Sequence, residues 1–328
     1  EYHRRLRGPA EPTVIYPGVK PGNALSDEQV VMVAHYDHVG DCPGADDNAS
    51  GLSAVLEISR ILSLFEFDRT LVVICTDEEE EGRIGSFQYA RQANDAGDEI
   101  AVVFNLDSIS YTDSTPNSQS FPSGFDTMYP DLAAELAIND YRGEFIYVGH
   151  DPFAADAANA FETYGDSLGL WTGRAEITVE NLFLPENMRS DSASFWGFAY
   201  PGMIINDTSE LRNACYHCAG CQDTFDTLDI DFGVQVTKAA LAAIADCLDG
   251  LNDVFPRPPT VPCNNLCSQL TTPDQALCIY DILSDYVDPD DYPLCHENIE
   301  TVAECNACIG SLPLLEGDCS VMSFMCGL

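Results

Sequence analysis

Apolar and polar positions along the first third of the chain fall into blocks of two kinds. The run QVVMVAHYD (29–37) is almost continuously apolar over a strand's length, which predicts a strand covered on both faces. NASGLSAVLEISRILSLF (48–65) then changes to helical spacing, with Leu52, Val55, Leu56, Ile58, Ile61 and Leu62 on one stripe. TLVVICTD (70–77), RIGSFQYARQAND (83–95) and EIAVVFNLDS (99–108) continue as strand, helix and strand. That βαβαβ order predicts an α/β fold, a three-layer α/β/α sandwich with a mostly parallel central sheet and right-handed crossovers. Farther on, EFIYVGH (144–150) and PGMIINDT (201–208) read as strands. Residues 151–163, 191–199 and 230–249 read as helices, the last capped by Gly250.

The pattern changes at LNDVFPRPPTVPC (251–263), where four prolines in thirteen residues cannot continue a helix. The expected organisation is a domain over 1–250, a Pro-rich linker over 251–262 and a small module over 263–328. Eight of the fourteen cysteines lie in that module, with little aliphatic core around them, so disulfides are expected to staple it. Cysteine usage of this density predicts a secreted, extracellular chain, and the opening EYHRRLRGPAEP reads as the start of a processed form. Fifty-four Asp and Glu face fourteen Lys and Arg, a formal charge of -40. Such a field argues against a nucleic-acid backbone or an anionic membrane surface as partner. No run approaches the roughly 20 apolar residues that cross a bilayer, so membrane insertion is not expected.

Charge alone would make the acidic stretches solvated surface. Their positions change that reading. Ligands of open α/β sheets collect beyond the carboxyl ends of the strands. Here the first strand ends at His35-Tyr-Asp37, the second runs into Asp77 to Gly82 (DEEEEG), and the third ends at Asp107. GADDN (44–48) opens the first long helix. Three consecutive strands thus end in groups able to bind metal, on one edge of the sheet. Imidazole and carboxylate together suit zinc, and a pair of ions needs a shared carboxylate.

HYD, PGADDNASG, EEEGRIGS, NLD, RSDSASF and YHCAGCQDT stand in an order and spacing that resembles the secreted two-zinc aminopeptidase family. Glutamate carboxypeptidases and glutaminyl cyclases are relatives of that family. The resemblance covers about residues 12–250 and does not extend to the cysteine-rich tail. It implies two Zn²⁺ ions, although another divalent metal would suit the same donors. By resemblance His35 is a ligand of one zinc, oriented by Asp37, and Asp47 is the bridging carboxylate. Glu80 and Asp107 are carboxylate ligands, and His217 is the imidazole ligand of the second ion. Glu79 is the general base acting on a bridging metal-bound hydroxide, and Tyr216 hydrogen-bonds the tetrahedral intermediate. Arg189 and Asp191, in RSD, line the pocket for the free amine of a peptide substrate. The resemblance also implies a cis Asp47–Asn48 peptide and a disulfide straddling His217, read here as Cys215–Cys221; Cys218 is then expected to reach Cys42.

Competing readings remain at this stage. The CxxC spacings around His217 also fit an extra zinc site. His38 competes with His35 as a ligand, while His3, His150 and His296 read as surface residues. Cys75 reads as a buried free thiol in a strand. DYVDPDDY (285–292) lacks the ligand pattern of a calcium loop and reads as solvated. The sequons at Asn48 and Asn206 lie beside the presumed site and are not expected to carry glycans. For the whole chain, a glutaminyl-cyclase-like enzyme with one zinc is one alternative. A scaffold whose C-terminal module drives self-assembly is another.

Overall fold

Val30 to Ala34 are fully shielded from solvent, as an apolar strand needs to be when helices cover both faces of its sheet. They belong to the middle of a seven-stranded sheet in a computed structural model that describes residues 16–178 and 188–251. These residues all lie in the first of two compact units, Glu1–Phe255 and Pro256–Leu328. The elements run β1 (Tyr16–Lys20), β2 (Leu25–His35), α1 (Gly51–Leu62), β3 (Arg69–Thr76), α2 (Ile84–Ala96) and β4 (Glu99–Leu106). They continue with α3 (Phe125–Met128), α4 (Pro130–Ile138), β5 (Ile146–His150), α5 (Ala155–Ser167), β6 (Thr172–Glu176), α6 (Ser192–Trp196), β7 (Gly202–Asn206) and α7 (Ile230–Leu248).

The sheet order is β1-β3-β2-β4-β7-β5-β6. The four neighbouring strands β3, β2, β4 and β7 are mutually parallel, so their carboxyl ends share one edge. Alternate residues of β2 feed different cores. Val30, Met32 and Ala34 pack with α1, α5 and α7, whereas Val31 and Val33 pack with α2 and Phe195 of α6. That is the three-layer sandwich, with parallel order dominant.

Several details differ from the pattern-based reading. β1 and β6 were not foreseen, because YPGVK carries a Pro and a Gly and TGRAE has no apolar run. β1 adds antiparallel to β3 and β6 parallel to β5, at the two outer positions where backbone pairing substitutes for an apolar signal. β5 runs antiparallel to β7, so its carboxyl end faces away from the shared edge. The helices α3 and α4 were also missed. The helix expected over 191–199 is only Ser192–Trp196, and the one expected over 151–163 begins after a short turn capped by Asp151. On α1 the buried stripe is Ala54, Val55, Ile58 and Leu62; Leu56 is exposed. His150 is not a surface residue but is buried at the end of β5. The linker, the cysteine-rich module, the acidic stretch 285–292, His3 and His296 lie outside the described residues.

Candidate metal centre

Each candidate ligand sits where an inner strand, or the loop following it, leaves the sheet. His35 is the last residue of β2 and is 1% exposed. Asp47 lies in a tight turn, Ala45–Ser50, that precedes α1. Asp107 follows β4 directly, and Glu79 and Glu80 lie in the turn between β3 and α2. His217 lies in a short turn, Tyr216–Cys218, beyond β7. The approach of α1 to β4 is close enough that a Cβ on Gly51 would meet the Leu106 carbonyl at 2.2 Å. Only glycine fits there, which lets Asp47 and Asp107 stand side by side.

The geometry divides into two half-sites that share Asp47. Its Oδ1 lies 3.2 Å from His35 Nε2, which is 3.6 Å from Asp107 Oδ1. Its Oδ2 lies 3.1 Å from His217 Nε2, which is also 3.1 Å from Glu80 Oε2. Ligand atoms of His35, Asp47 and Glu80 lie within 4.8 Å of one another. Buried Glu80 Oε1 has no hydrogen-bond partner, and Asp47 Oδ2 and His217 Nε2 face each other at 3.1 Å without the geometry of a hydrogen bond. Buried polar atoms are nearly always paired, so orphans in one spot call for an additional ligand. Imidazole nitrogens and carboxylate oxygens are a donor set zinc accepts. The residues therefore fit a bound metal ion such as zinc.

The electrostatics say the same. Burial raises the Asp47 pKa, but the facing imidazoles of His217 and His35 outweigh it and the net shift is downward. Pairing with Asp47 and Glu80 pushes His217 up to about 10 against the opposing effect of burial. Burial lowers the His35 pKa, yet Asp107, Asp37 and Asp47 turn the balance upward. The cluster is short of positive charge, and protons or divalent cations can supply it. Glu79 is held well above the ordinary carboxylate range, first by burial and then by the neighbouring Asp191, Asp107 and Glu80, with His35 opposing.

Around the ligands stands a layer of fixed hydrogen bonds. The Asp37 carboxylate lies 3.4 Å from His35 Nδ1 and accepts the backbone N–H groups of Glu79 and Glu80, both at 3.1 Å. It thereby orients the imidazole and pins the turn that carries both glutamates. Asp223 accepts the N–H groups of Asp46 and Asp47 at 3.0–3.1 Å and so holds the turn of the shared carboxylate. Ser190 donates to Asp107 Oδ2 at 2.5 Å. Asn48, fully buried, accepts from Gly51 and Ser108 and donates to the Leu106 carbonyl. The Asp47–Asn48 peptide is cis. Asp223 and Ser190 lie inside the motifs QDT and RSD, where nothing in the local sequence marks them as partners of Asp47 and Asp107.

The turn bearing His217 is tied down by two disulfides, Cys215–Cys221 and Cys42–Cys218. These leave no thiol there for an extra zinc. His217 itself has a left-handed backbone with φ +51°, a conformation that costs energy and persists where surroundings enforce it. The Tyr216 ring stacks on His217 at 3.9 Å, and its hydroxyl accepts from Arg189 at 3.1 Å. Arg189 also pairs with Glu210. Arg189 lines the cavity that opens beside Asp47, Glu79, Asp107 and Tyr216; a guanidinium cannot accept hydrogen bonds from a substrate ammonium, and its own hydrogen bond steadies Tyr216. Asp191 is fully buried, takes a 2.7 Å hydrogen bond from Thr76 and is not part of the cavity wall. It stands behind Glu79, where its charge helps raise the Glu79 pKa. His38 is exposed and lies outside the cluster. The side-chain amides of Asn48 and Asn206 are both engaged in internal hydrogen bonds. Cys75 is a free, half-buried thiol, and Cys247 is free and buried.

A model of peptidase family M28 matches residues 15–244. The uncharacterized protein YfbL of Escherichia coli (strain K12) is 29% identical over 230 residues, 66% of each chain. The aminopeptidase YwaD of Bacillus subtilis (strain 168) is 32% identical over 180 residues, 54% of this chain and 34% of the relative. The chain thus spans less than two thirds of the length of these curated relatives. Among solved structures, an aminopeptidase from Aneurinibacillus sp. strain AM-1 superposes with a TM-score of 0.53 at 19% identity, over 74% of this chain and 50% of the other. The Legionella pneumophila aminopeptidase LapA does so with a TM-score of 0.53 at 19% identity, over 74% and 56%. At those identities the likeness is one of fold. The family match spans more than half of the chain and covers every ligand described above: this chain belongs to peptidase family M28.

Proposed function

We propose that the chain is a zinc-dependent aminopeptidase that removes N-terminal residues from peptides, using two ions that share Asp47. His35, Asp47 and Asp107 would hold one ion, and Asp47, Glu80 and His217 the other. The observation that carries this reading is the placement of the two Asp47 oxygens, one toward each imidazole, amid orphaned buried donor atoms. Zinc bound there supplies a Lewis acid for the scissile carbonyl and brings the pKa of a water toward neutrality.

The rest is work for the protein's own groups. Glu79 takes the proton of the attacking water on its carboxylate and returns it to the leaving amine. Its carboxylate lines the cavity with Asp47 and Asp107, where that water would stand. Tyr216, steadied by Arg189 and by stacking on His217, donates its hydroxyl hydrogen to the developing oxyanion. Asp37 and Asp223 keep the ligand turns in place. The same reading makes this a secreted enzyme, a view supported by the two disulfides at the site. The test is hydrolysis of aminoacyl anilides with and without chelator, together with metal content. Two ions per chain and chelator-sensitive release of the N-terminal residue are expected. One ion with cyclisation of N-terminal glutamine would favour the glutaminyl-cyclase alternative.

A further inference from the structure

Cys215 and Cys221, six positions apart, close the chain into a ring that contains Tyr216 and His217. The Cys218 N–H donates to the Cys215 carbonyl at 2.8 Å, the Ala219 N–H to Tyr216 at 3.1 Å and the Gly220 N–H to Ala214 at 2.8 Å. His217 and Cys218 are both left-handed, with φ +51° and +58°. Two such residues in succession, neither of them glycine, persist only where the surroundings impose them. The ring imposes them here. The other candidate ligands are held differently. His35 and Asp107 stand at strand ends, and Asp37 and Asp223 secure the turns of Glu80 and Asp47 by hydrogen bonds.

The two disulfides differ in exposure. Cys42 and Cys215 are buried, Cys218 is half-buried and Cys221 stands in solvent. A disulfide opens by attack of a thiolate on one of its sulfurs, so access to that sulfur decides which bond yields. Exposed disulfides are the labile, regulatory ones. Cys42–Cys218 spans 176 positions and ties the His217 turn to the segment that leads into the Ala45–Ser50 turn. Cys218 Sγ also accepts the Asp223 N–H at 3.4 Å.

We infer that Cys215–Cys221 is a redox switch on the half-site of Asp47, Glu80 and His217. The inference rests on the two-ion aminopeptidase reading. One thiolate of a dithiol attacks Cys221 Sγ, and the S–S bond breaks with its electron pair on Cys215, which takes a proton. The second thiol of the reductant then displaces Cys221 from the mixed disulfide. The dithiol leaves as its cyclic disulfide, oxidised by two electrons, and the protein gains two thiols. With the ring open, His217 and Cys218 relax from their left-handed conformations, and the ion loses its imidazole. The His35–Asp107 half, built on strand ends, keeps its ion. Oxidised glutathione reverses the exchange. Reclosing so short a loop costs little chain entropy, and Cys42–Cys218 keeps the opened turn tethered meanwhile. A chain in reducing surroundings is thereby held at one ion, and activity arrives with oxidation.

The experiment starts from the full chain, oxidised and loaded with zinc, and uses a phosphine reductant, which brings no thiol to compete for zinc. Graded doses are followed by capping with iodoacetamide, which stops the new thiols from holding metal, and by peptide mapping. Cys215 and Cys221 should be capped at lower doses than Cys42 and Cys218. At that stage the dialysed chain should hold one ion instead of two, with unchanged far-UV circular dichroism. Hydrolysis of leucine 4-nitroanilide should fall by about tenfold or more. An uncapped sample treated with oxidised glutathione should regain the second ion and its activity. In the full chain, joint Cys215→Ser and Cys221→Ser substitution should weaken the second ion by about 10- to 100-fold, the range for groups that hold a ligand in place. The same phosphine dose should change that variant no further, which separates the switch from the remaining disulfides. Two ions and full turnover in the chain capped at Cys215 and Cys221, or in the double variant, would overturn the inference. So would opening of Cys42–Cys218 first. No anilide cleavage by the oxidised two-ion chain would overturn the aminopeptidase reading alone, with the switch still judged by the ion count.

Discussion

The two edges of the sheet both bury acidic residues, yet they treat them differently. At the carboxyl edge of β3, β2, β4 and β7, Asp47 and Glu80 each keep an oxygen with no hydrogen-bond partner. At the opposite edge, reached by the reversed strand β5, Asp151 accepts the N–H groups of Phe153, Ala154 and Gly202. Asp223, near the first edge, is similarly supplied by Asp46 and Asp47. In a chain with fifty-four acidic residues, burial alone therefore does not mark a ligand. An unpartnered oxygen sets Asp47 and Glu80 apart from Asp151 and Asp223. Yet it is not a rule for the whole site: Asp191, behind Glu79, also keeps an unpartnered Oδ1, and Asp107 accepts from Ser190 and Ser108.

The sharpest way to break this comparison is Glu79→Gln. The amide keeps the shape of the side chain and removes its ability to take a proton. Activity should fall by about 10²- to 10⁴-fold while two ions per chain are retained, as read by kcat and metal analysis. Retained turnover would assign the base elsewhere. Next in size, Glu80→Ala and His217→Ala should each release the ion of one half-site and leave the His35–Asp107 half occupied. Equilibrium dialysis should then find one tight ion instead of two. Release of both ions by either variant would mean that the halves are not separable through Asp47.

Much of the first edge was legible in the sequence, and for a physical reason. Parallel strands covered on both faces must be written as apolar runs, so the first polar group after each run marks the edge. His35 and Asp107 were found that way. Asp47 and Glu80 needed the resemblance to choose them from ADDN and DEEEE, where several acids compete within one loop, and His217 needed it because YHCAGC follows no apolar run that marks a strand end. The supporting layer was not legible. Asp223 meets Asp47 across 176 positions and Ser190 meets Asp107 across 83, contacts that no local pattern encodes. The edge strands β1 and β6 escaped because their place depends on backbone pairing, and the reversal of β5 escaped because a strand's direction leaves no mark on its composition.

A smaller effect distinguishes acids that bind from acids that hold. Asp223→Asn exchanges one acceptor oxygen for an NH₂ group that faces backbone N–H donors. Hydrogen bonds to a charged group contribute about 1.5–3 kcal/mol, so the thermal midpoint should drop. Metal affinity should weaken by about 10- to 100-fold, as is typical for partners standing behind a ligand. Both half-sites should weaken together, because Asp223 acts on the shared Asp47 turn. A variant with weakened stability and unchanged metal affinity would show that Asp223 only secures the loop.

The smallest expected effect comes from the opposite edge and needs no metal. Burial pushes the Asp151 pKa up to about 6 from an ordinary 3.8, against the N–H donors of Gly202, Phe153 and Ala154 and the Trp196 indole. The folded chain therefore holds a proton on Asp151 more tightly than the unfolded chain does. Where the folded state binds more protons, stability falls as pH rises. Asp151's contribution should be fully present below about pH 4 and lost as pH climbs through about 6. A two-unit shift corresponds to nearly 3 kcal/mol at most, and the partial exposure of Asp151 reduces this to about 1–2 kcal/mol. Urea midpoints measured between pH 4 and 7, with chelator present, should show a falling limb in the parent that is flattened in Asp151→Asn. A rising limb attributable to Asp151 would mean that its backbone donors outweigh burial. It would then be the protein's N–H groups, more than its apolar surroundings, that decide which buried acids stay charged.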